Sequence, residues 1–410
     1  MTAAAYTPGE AIEPGQVVMV DHRPTLSTAT GLKPPVTPLK VLQWNIERGY
    51  QLDRILATLR AESPDIAVLQ ELDLGCERSG GTDQLDIIAR SLGWQGAFVA
   101  EFAELHSSRR SARDQGGGYH GNAVFSRFPI VAAHVVSHRY QPVDWNAPDT
   151  DVTSAAYRHR EPRRGQRYTL AAVVQPDACQ YGAPAPPVLV YSAHLEVFCG
   201  LSHRVCQFAE ILDDAYRHQR QYPHQLLFGD LNTMAHSWAR LSPKYCQDQF
   251  RWRSLGTSEP RWWYNHVLSV ARPPLPDPTA TTDDGLSADE KWATQAMIHS
   301  PSPTEGLVTV GPTGHDNDDI GAYDSPLAPY GPTVFPPDVQ RMARNPGFHE
   351  PWDIDQDFTL RSLHGLYQAK LDWTFYTNFT CVGKHMGNHD YEASDHKYLA
   401  LQLAYQAAKL

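Results

Sequence analysis

Short apolar runs and a few helically periodic segments alternate along most of this 410-residue chain. Runs rich in β-branched and aromatic residues predict strands, at residues 40–46, 66–69, 122–125, 130–136, 169–174, 188–192, 225–228, 372–376 and 398–403. Apolar residues three and four positions apart predict helices over residues 52–62, 83–92 and 202–218. Many strands with few helices between them are typical of a layered α/β or α+β body with sheet at its centre.

Two segments lack this periodicity and define the predicted organisation. Residues 1–39 carry six prolines and little apolar pattern, which predicts an irregular N-terminal arm before a domain over residues 40–410. Within that domain, residues 271–350 hold 13 of the chain's 32 prolines, with 12 acidic against 4 basic residues. This composition predicts a long Pro-rich acidic insertion rather than a core element.

The charge balance limits the partners of the protein. The chain has 35 Lys and Arg against 46 Asp and Glu, a formal net charge of -11. This excludes a protein coated in basic charge that holds nucleic acid by counterion release, although a small positive cleft remains compatible with it. The predicted insertion carries a net -8, so the other 330 residues carry only -3. The balance therefore argues only weakly against a polyanionic substrate.

Cysteine usage and hydropathy bear on the compartment. The six cysteines include no C-x-x-C pair, which favours isolated thiols in a reducing compartment over a disulfide scaffold. The N-terminal residues lack the pattern of a signal peptide, and no run approaches the roughly 18 apolar residues of a membrane span. We therefore expect a cytoplasmic protein, with the nucleus as an alternative.

Polar residues near the ends of apolar strands are the candidate functional residues. A strand end delivers a side chain to a surface, and residues i and i+2 face the same way. The candidates are Asn45, Glu47, Glu71, His194, Asp230, Asn232, Asp372, Asp395 and His396. Each alone also fits a solvated strand end, a turn or a structural histidine. Together, the oxygen ligands suit Mg²⁺ or Mn²⁺, and the imidazoles with Arg167 indicate hydrolysis of a phosphate ester.

Seven short motifs occur in a fixed order along the chain: WNIE, LQE, GNAVFSR, SAHLE, GDLN, LDW and SDH. The series resembles the endonuclease/exonuclease/phosphatase superfamily, the fold of deoxyribonuclease I and exonuclease III. The resemblance covers residues 40–403 apart from the acidic insertion. It implies a four-layered α/β sandwich, in which two packed mixed β-sheets are flanked by helices and the site lies at the strand ends on one edge.

The resemblance also implies a role for each matched position. The resemblance implies that four residues lie at or near a Mg²⁺ or Mn²⁺ ion: Glu71 as the principal ligand, with Asn45, Glu47 and Asp395. The implied catalytic residues are Asp230 for the attacking water, Asn232 for the phosphate, His194 for the leaving group or phosphate, His396, and Asp372 to orient His396.

Three residues are predicted to contact the substrate: Asn45, Asn122 and Arg167. Asn122 ends the glycine-rich loop 116–122, whose backbone amides could approach a phosphate or could simply form a hairpin connection. Arg167 ends a basic cluster over residues 158–167, which fits either a phosphate-steering patch or a solvated loop.

The predicted activity is divalent-metal-dependent hydrolysis of a phosphodiester by in-line attack of water. A nuclease acting on DNA or RNA is the alternative within the enzyme class, and nucleic acid is a candidate partner that the sequence does not establish. A catalytically inactive family member that serves as a binding module is the alternative outside it. The sequence leaves the substrate, endo versus exo action and the oligomeric state open.

Overall fold

The computed structural model describes residues 4–24, 38–108, 110–141, 143–146, 162–176, 185–233, 258–275, 337–362 and 367–406. The strands in these ranges are β1 (Ala4–Ala5), β2 (Val17–Asp21), β3 (Leu39–Asn45), β4 (Ile66–Leu74), β5 (Gln95–Glu104), β6 (Tyr119–Ser126), β7 (Ile130–Ser137), β8 (Arg163–Gly165), β9 (Tyr168–Val174), β10 (Val188–His194), β11 (His224–Asp230), β12 (Leu360–Ser362), β13 (Tyr367–Ala369), β14 (Asp372–Thr377), β15 (Phe379–Gly387) and β16 (Tyr398–Tyr405). The α-helices are α1 (Leu52–Glu62), α2 (Gln84–Leu92), α3 (Leu201–His218), α4 (Glu259–Trp263) and α5 (Pro337–Met342).

Two mixed sheets contain most of the described strands. The larger sheet has the order β1-β2-β5-β6-β4-β3-β16-β15, with β8 paired to β5. In it, β3 runs parallel to β4 and antiparallel to β16. The smaller sheet has the order β14-β11-β10-β9-β7, with β10 parallel to β11 and the other pairs antiparallel. Strands β12 and β13 form a separate two-stranded pair.

The two sheets pack face to face and each carries helices on its outer face. Apolar side chains of both sheets, such as Val68 and Phe228, form one core between them. A second core lies between the larger sheet and helices α1 and α2, and a third between the smaller sheet and α3. This order of layers confirms the predicted four-layered α/β sandwich.

Local sequence explains where the first helix begins and ends. In α1, Ile55, Leu56 and Leu59 share one face and are buried. The helix ends at Ser63, which takes a left-handed conformation with φ 48° and donates its N–H to the Leu59 carbonyl. The next residue, Pro64, cannot extend the helix. The predicted bounds of this helix, residues 52–62, match the structure.

The prediction of an irregular arm over residues 1–39 is wrong for part of the segment. Strand β2 pairs antiparallel with β5, and β1 pairs parallel with β2, so both belong to the larger sheet. The β-branched run at residues 17–20 is long enough to pair, and the flanking prolines lie outside it. Residues 25–37 lie outside the described residues.

The predicted acidic insertion lies mostly outside the described residues, which include only 271–275 and 337–350 of it. Its two described ends meet, because Ala271 bridges Asn345 and the Arg272 N–H donates to the Asn345 carbonyl at 2.8 Å. That residues 40–410 form one domain interrupted by this insertion stays a prediction. None of the described helices has the length and apolar content needed to cross a membrane.

Candidate active site

Strand directions bring the candidate residues to one edge of the sandwich. The parallel strands β3 and β4 end at this edge, and so do β10 and β11. The antiparallel strands β14 and β16 begin there. In the smaller sheet His194, Asp230 and Asp372 lie side by side in register. The topology therefore assembles residues that are up to 351 positions apart in sequence.

Asn45 joins the two sheets at the centre of this edge. Its amide nitrogen donates to Glu71 Oε1 at 3.1 Å and to Asp230 Oδ2 at 3.0 Å. Its side-chain oxygen accepts the Glu47 N–H at 3.1 Å, and its backbone carbonyl accepts the Ser394 hydroxyl at 2.6 Å. In this arrangement Asn45 orients two carboxylates with its nitrogen, while its oxygen is already paired.

A β-bulge places Glu71 at the edge. Across the β4–β6 pair, Leu69 faces Ala123 and Leu72 faces Gly121, so Gln70 and Glu71 together oppose the single residue Asn122. Glu71 has φ 62°, a left-handed conformation that is unfavourable for a side chain of this size. Such strain is concentrated at functional sites, where the surrounding structure has to hold it. The bulge turns the Glu71 carboxylate toward Asn45 and leaves its side chain 23% exposed.

Three carboxylates, those of Glu47, Glu71 and Asp395, lie close enough to influence one another. Glu47 Oε2 accepts the Asp395 N–H at 3.1 Å. Burial, Asp395 and Glu71 raise the pKa of Glu47, and burial together with Glu71 raises the pKa of Asp395. Clustered oxygen ligands that repel one another are the donor set that a hard divalent cation neutralises. These residues therefore fit Mg²⁺ or Mn²⁺.

Asp230, Asp372 and His396 form a separate group whose ligand atoms lie within 4.8 Å of one another. Hydrogen bonds already occupy both oxygens of Asp372, because His396 Nδ1 lies 2.7 Å from Oδ2 and the Gln43 amide donates to Oδ1 at 2.7 Å. This geometry is that of a carboxylate that orients an imidazole. The roles predicted for Asp372, and for Glu47, Glu71 and Asp395 at a metal, stay predictions.

The two imidazoles of the site differ in their protonation. Burial, Arg167 and His120 lower the pKa of His194 far below its usual value, so this ring is neutral. Burial opposes the charged form of His396 as well, but Asp372 and Asp395 outweigh it and raise that pKa well above the usual value. The pKa values of the two imidazoles are thus shifted in opposite directions.

Asp230 lies between these two rings. Its Oδ2 is 3.7 Å from His194 Nε2 and 3.8 Å from His396 Nε2, which is beyond direct hydrogen bonding. Burial and the neighbouring Asp372 raise the pKa of Asp230 to about 7. A carboxylate with such a pKa can accept a proton near neutral pH.

Asn232 supports Asp230 from the following loop. Its N–H donates to Asp230 Oδ1 at 2.8 Å, and its side-chain nitrogen donates to the Leu195 carbonyl at 2.8 Å. Asn232 also has a left-handed φ of 52°. The structure thus brings Asn232 into the site, where its visible contacts fix the Asp230 carboxylate and the loop after β10.

The predicted substrate contacts Asn122 and Arg167 are both buried near the site. Asn122 is fully buried, and neither its side-chain oxygen nor its nitrogen has a hydrogen-bond partner among the described residues. Arg167 is 3% exposed and donates to Glu101 Oε2 at 2.9 Å, with Glu196 Oε2 3.9 Å from its Nε. Arg167 therefore acts on the site through its positive potential, as its effect on His194 shows.

The predicted basic patch over residues 158–167 differs from the expectation where it is described. Arg163 and Arg167 are buried beside internal carboxylates, and the Arg163 guanidinium stacks on the Trp145 ring at 3.9 Å. Arg164 is exposed, whereas Arg158 and Arg160 lie outside the described residues. Buried arginines paired with glutamates do not steer a polyanion in solvent.

The glycine-rich loop packs against backbone rather than presenting its amides to a ligand. A Cβ on Gly118 would lie 2.2 Å from the Leu74 carbonyl, so only glycine fits there. The Gly117 N–H donates to the Glu104 carbonyl at 2.7 Å, and the Gly116 N–H donates to the Gln115 side chain at 3.2 Å. Of the two alternatives for this loop, the described contacts favour the hairpin connection.

The sequence analysis missed the buried polar residues that support the site from the protein interior. Gln43 donates to both Gln70 and Asp372, and Gln70 donates to the Ser192 hydroxyl at 3.1 Å, which connects the two sheets. His120 and Arg48 lower the pKa of Glu71 against the effect of burial. The available signal was the presence of Gln43 and Gln70 inside apolar strands, because buried amides need partners.

A model of the Endonuclease/Exonuclease/phosphatase family matches residues 42–396. Among curated proteins, none matches the chain significantly. A solved endonuclease/exonuclease/phosphatase from Beutenbergia cavernae is 19% identical with a TM-score of 0.46, covering 91% of this chain and 72% of its own. The human Nocturnin catalytic domain with bound sulfate is 15% identical with a TM-score of 0.41, covering 96% and 100%. The 3' phosphatase NExo from Neisseria, bound to product DNA hairpin, is 13% identical with a TM-score of 0.43, covering 90% and 100%.

Proposed function

Because the chain belongs to the endonuclease/exonuclease/phosphatase family, whose members are phosphoesterases such as nucleases and phosphatases, we propose that it is a divalent-metal-dependent phosphodiesterase. Enzymes of this family generally use divalent metals. The proposal goes further than family membership in three respects: the ion, the roles of the site residues and the class of ester.

Glu71 would hold Mg²⁺ or Mn²⁺ together with Glu47 and Asp395, and Asn45 would orient these ligands. A bound ion of this kind supplies Lewis-acid polarisation of a phosphoryl oxygen and neutralises part of the carboxylate charge. The side-chain nitrogen of Asn45 donates hydrogen bonds to both Glu71 and Asp230, at 3.1 and 3.0 Å. The metal-binding and water-activating carboxylates thus stay in fixed relation.

Asp230 would orient the attacking water and accept its proton. Its pKa near 7 matches that task at neutral pH. The Asn232 N–H and the Asn45 amide hold its two oxygens. A water that bonds to this carboxylate is then aligned for in-line attack on a phosphorus held beside it.

The two imidazoles would have different roles in the reaction. Cationic His396, oriented by Asp372, stabilises negative charge that develops on the phosphoryl oxygens. Neutral His194 donates a hydrogen bond to the phosphate or the leaving group through Nε2. The unpartnered amide of Asn122 offers one further contact for a substrate oxygen, and Arg167 contributes positive potential.

The observation that carries this proposal is the position of Asp230 between His194 and His396, with Glu71 joined to it through the Asn45 side-chain nitrogen. An inactive family member usually lacks one or more of the motif residues, whereas every motif position is filled here. The arrangement therefore favours the enzyme over the inactive family member.

The test is hydrolysis of bis(4-nitrophenyl) phosphate by the full chain with Mg²⁺ or Mn²⁺. We expect activity that EDTA removes and added metal restores. Glu71→Ala and His396→Ala should each lower kcat by about 10²–10⁴-fold, the range for loss of a catalytic group. The exposed His385→Ala variant is the matched control and should keep wild-type kcat. Unchanged activity in both site variants would sink the assignment.

A small phosphodiester fits the described surface better than a nucleic acid. The arginines that would have formed a steering patch, Arg163 and Arg167, face Glu104 and Glu101 instead. Turnover on a small substrate should depend weakly on salt, because few phosphates are contacted. If turnover on DNA or RNA is faster and falls steeply between 50 and 200 mM salt, the nuclease alternative is correct.

A further inference from the structure

A second group of histidines and a carboxylate lies away from the active site, between helix α3 and an edge strand of the smaller sheet. Asp214 and His218 are one turn apart on α3, and His134 projects from β7 toward them. Residues four positions apart share a helix face. His134, Ala171 and Tyr191 lie in one row across β7, β9 and β10, which also brings the Tyr191 hydroxyl to this group.

The contacts converge on a single oxygen atom. Asp214 Oδ2 lies 2.9 Å from His134 Nε2, 3.3 Å from His218 Nδ1 and 2.8 Å from the Tyr191 hydroxyl. The two imidazole rings are 4.9 Å apart at an angle of 34°. One ligand atom from each of the three residues lies within 4.8 Å of the others.

We propose that His134, Asp214 and His218 form a second metal site that binds a late first-row divalent ion, with Zn²⁺ as the preferred ion. Zn²⁺ binds imidazole nitrogen and carboxylate oxygen at about 2.0–2.1 Å, which places ligand atoms about 3.3 Å apart in a tetrahedron. The separations of 2.9 and 3.3 Å on Asp214 Oδ2 are close to this spacing. The ion replaces the imidazole protons that now point at the carboxylate.

The donor set separates this site from the active site. Two nitrogen ligands and one oxygen favour Zn²⁺, Cu²⁺ or Ni²⁺ over Mg²⁺, whereas the Glu47, Glu71 and Asp395 group offers only oxygen. The charge also suits a divalent ion, because one carboxylate and two neutral imidazoles leave a single positive charge on the complex.

His134, Asp214 and His218 are partly exposed and are oriented by neighbouring polar groups, as expected for a binding site rather than for a closed core. The side chains of His134, Asp214 and His218 are 34%, 20% and 31% exposed, so an ion and a water ligand can reach them. An ion on His218 Nδ1 would displace the 2.9 Å contact of this atom with the Asp214 backbone carbonyl, whereas the Tyr191 hydroxyl would keep its hydrogen bond to Asp214 Oδ2 from behind the site. Such outer contacts orient metal ligands and tune affinity.

The site would join α3 to the edge of the smaller sheet. Tyr191 precedes the active-site residue His194 by three positions, or about 10 Å along a strand. Zn²⁺ should therefore raise the melting temperature without replacing the metal needed for phosphodiester hydrolysis.

The test is a Zn²⁺ titration of the chelator-treated full chain in competition with a chromophoric chelator. Saturating Mg²⁺ and a Glu71→Gln background keep Zn²⁺ out of the active site. We expect one tight Zn²⁺ per chain that is lost in His134→Ala and in His218→Ala. Tyr191→Phe should weaken binding about 10–100-fold. His385→Ala is the control, because His385 pairs with the single carboxylate of Glu62 at 2.8 Å and lacks a second imidazole.

Two results would overturn the proposal. One is Zn²⁺ binding in His134→Ala and His218→Ala that equals the binding of the Glu71→Gln parent. The other is a parent that binds no Zn²⁺, which would make the group a hydrogen-bonded cluster only. Circular dichroism verifies folding, and Asp214→Asn replaces any alanine variant that does not fold, since it keeps the side-chain volume.

Discussion

Two groups of histidine and aspartate residues lie on or against the smaller sheet, and they differ in burial. At the strand ends, Asp230, Asp372 and His396 are almost fully buried, at 2%, 0% and 4% exposure. Between α3 and β7, the side chains of His134, Asp214 and His218 are each about a fifth to a third exposed. Burial strengthens each charge interaction, and in the buried group the pKa values of Asp230 and His396 are raised from their usual range. The exposed group stays accessible to protons and ions, so similar residues serve different chemistry.

The largest expected effect is on the buried group. Asp230→Asn removes the proton acceptor between the two imidazoles and should lower kcat by about 10³-fold, within the range for general-base loss. Zn²⁺ binding at the exposed group should not change. A kcat within threefold of wild type would show that the two groups do not differ in the way described.

A smaller effect on kcat is expected when Asp230 and His396 are kept but the carboxylate that orients His396 is lost. Asp372→Asn should lower kcat about 10–100-fold, as loss of an orienting carboxylate does. Because Asp372 raises the pKa of His396, the variant should lose activity at a lower pH on the alkaline side. A pH–rate profile checks this, and an unshifted alkaline limb would reduce Asp372 to a structural role.

The exposed group should affect stability rather than turnover in metal-free buffer. The hydrogen bond to Asp214 raises the pKa of His218, so its contribution is full below the unfolded pKa of about 6.5 and fades as pH rises through the folded value. His218→Gln should therefore cost about 1 kcal/mol near pH 6 and less near pH 9. Urea unfolding of both proteins at the two pH values measures the difference. An equal loss at both pH values would contradict it.

The smallest effect is expected for an isolated exposed pair. His385 is 51% exposed and contacts only Glu62 among the carboxylates, at 2.8 Å. His385→Gln should change the free energy of unfolding by less than about 0.5 kcal/mol, since exposed ion pairs contribute little. Thermal unfolding verifies this value. A larger loss of unfolding free energy would mean that the exposure of a group does not determine how much it contributes to stability.

Elements with a strong local pattern were predictable from the sequence. Helix α1 and strands such as β3, β7 and β9 match the predicted segments within one or two residues. Strand β5 was missed because Glu101 and Glu104 interrupt its apolar run. These buried charges are compensated by arginines: Arg167 pairs with Glu101, and Arg78, Arg110 and Arg163 lie beside Glu104. Strand β15 was missed because it is an edge strand, with polar residues and Gly383 at its centre.

The residues of the candidate site were predictable from motif order, but their chemical states were not. The motifs place Asp230 and His194 at strand ends, and parallel pairing of β10 with β11 then makes them neighbours. The neutral state of His194 and the raised pKa of Asp230 depend on burial and on charges from distant segments. The group of His134, Asp214 and His218 depends on how α3 packs on β7, for which no local pattern exists.

The hydroxyl of Ser394 and the carbonyl of Asn45, joined at 2.6 Å, are 349 positions apart in sequence. A contact of this kind closes a very long loop and forms late, after local helices and hairpins. The Asn45 amide is thus in place only when β16 has paired with β3. We therefore expect the geometry of the candidate site to be complete only after this long-range pairing has formed.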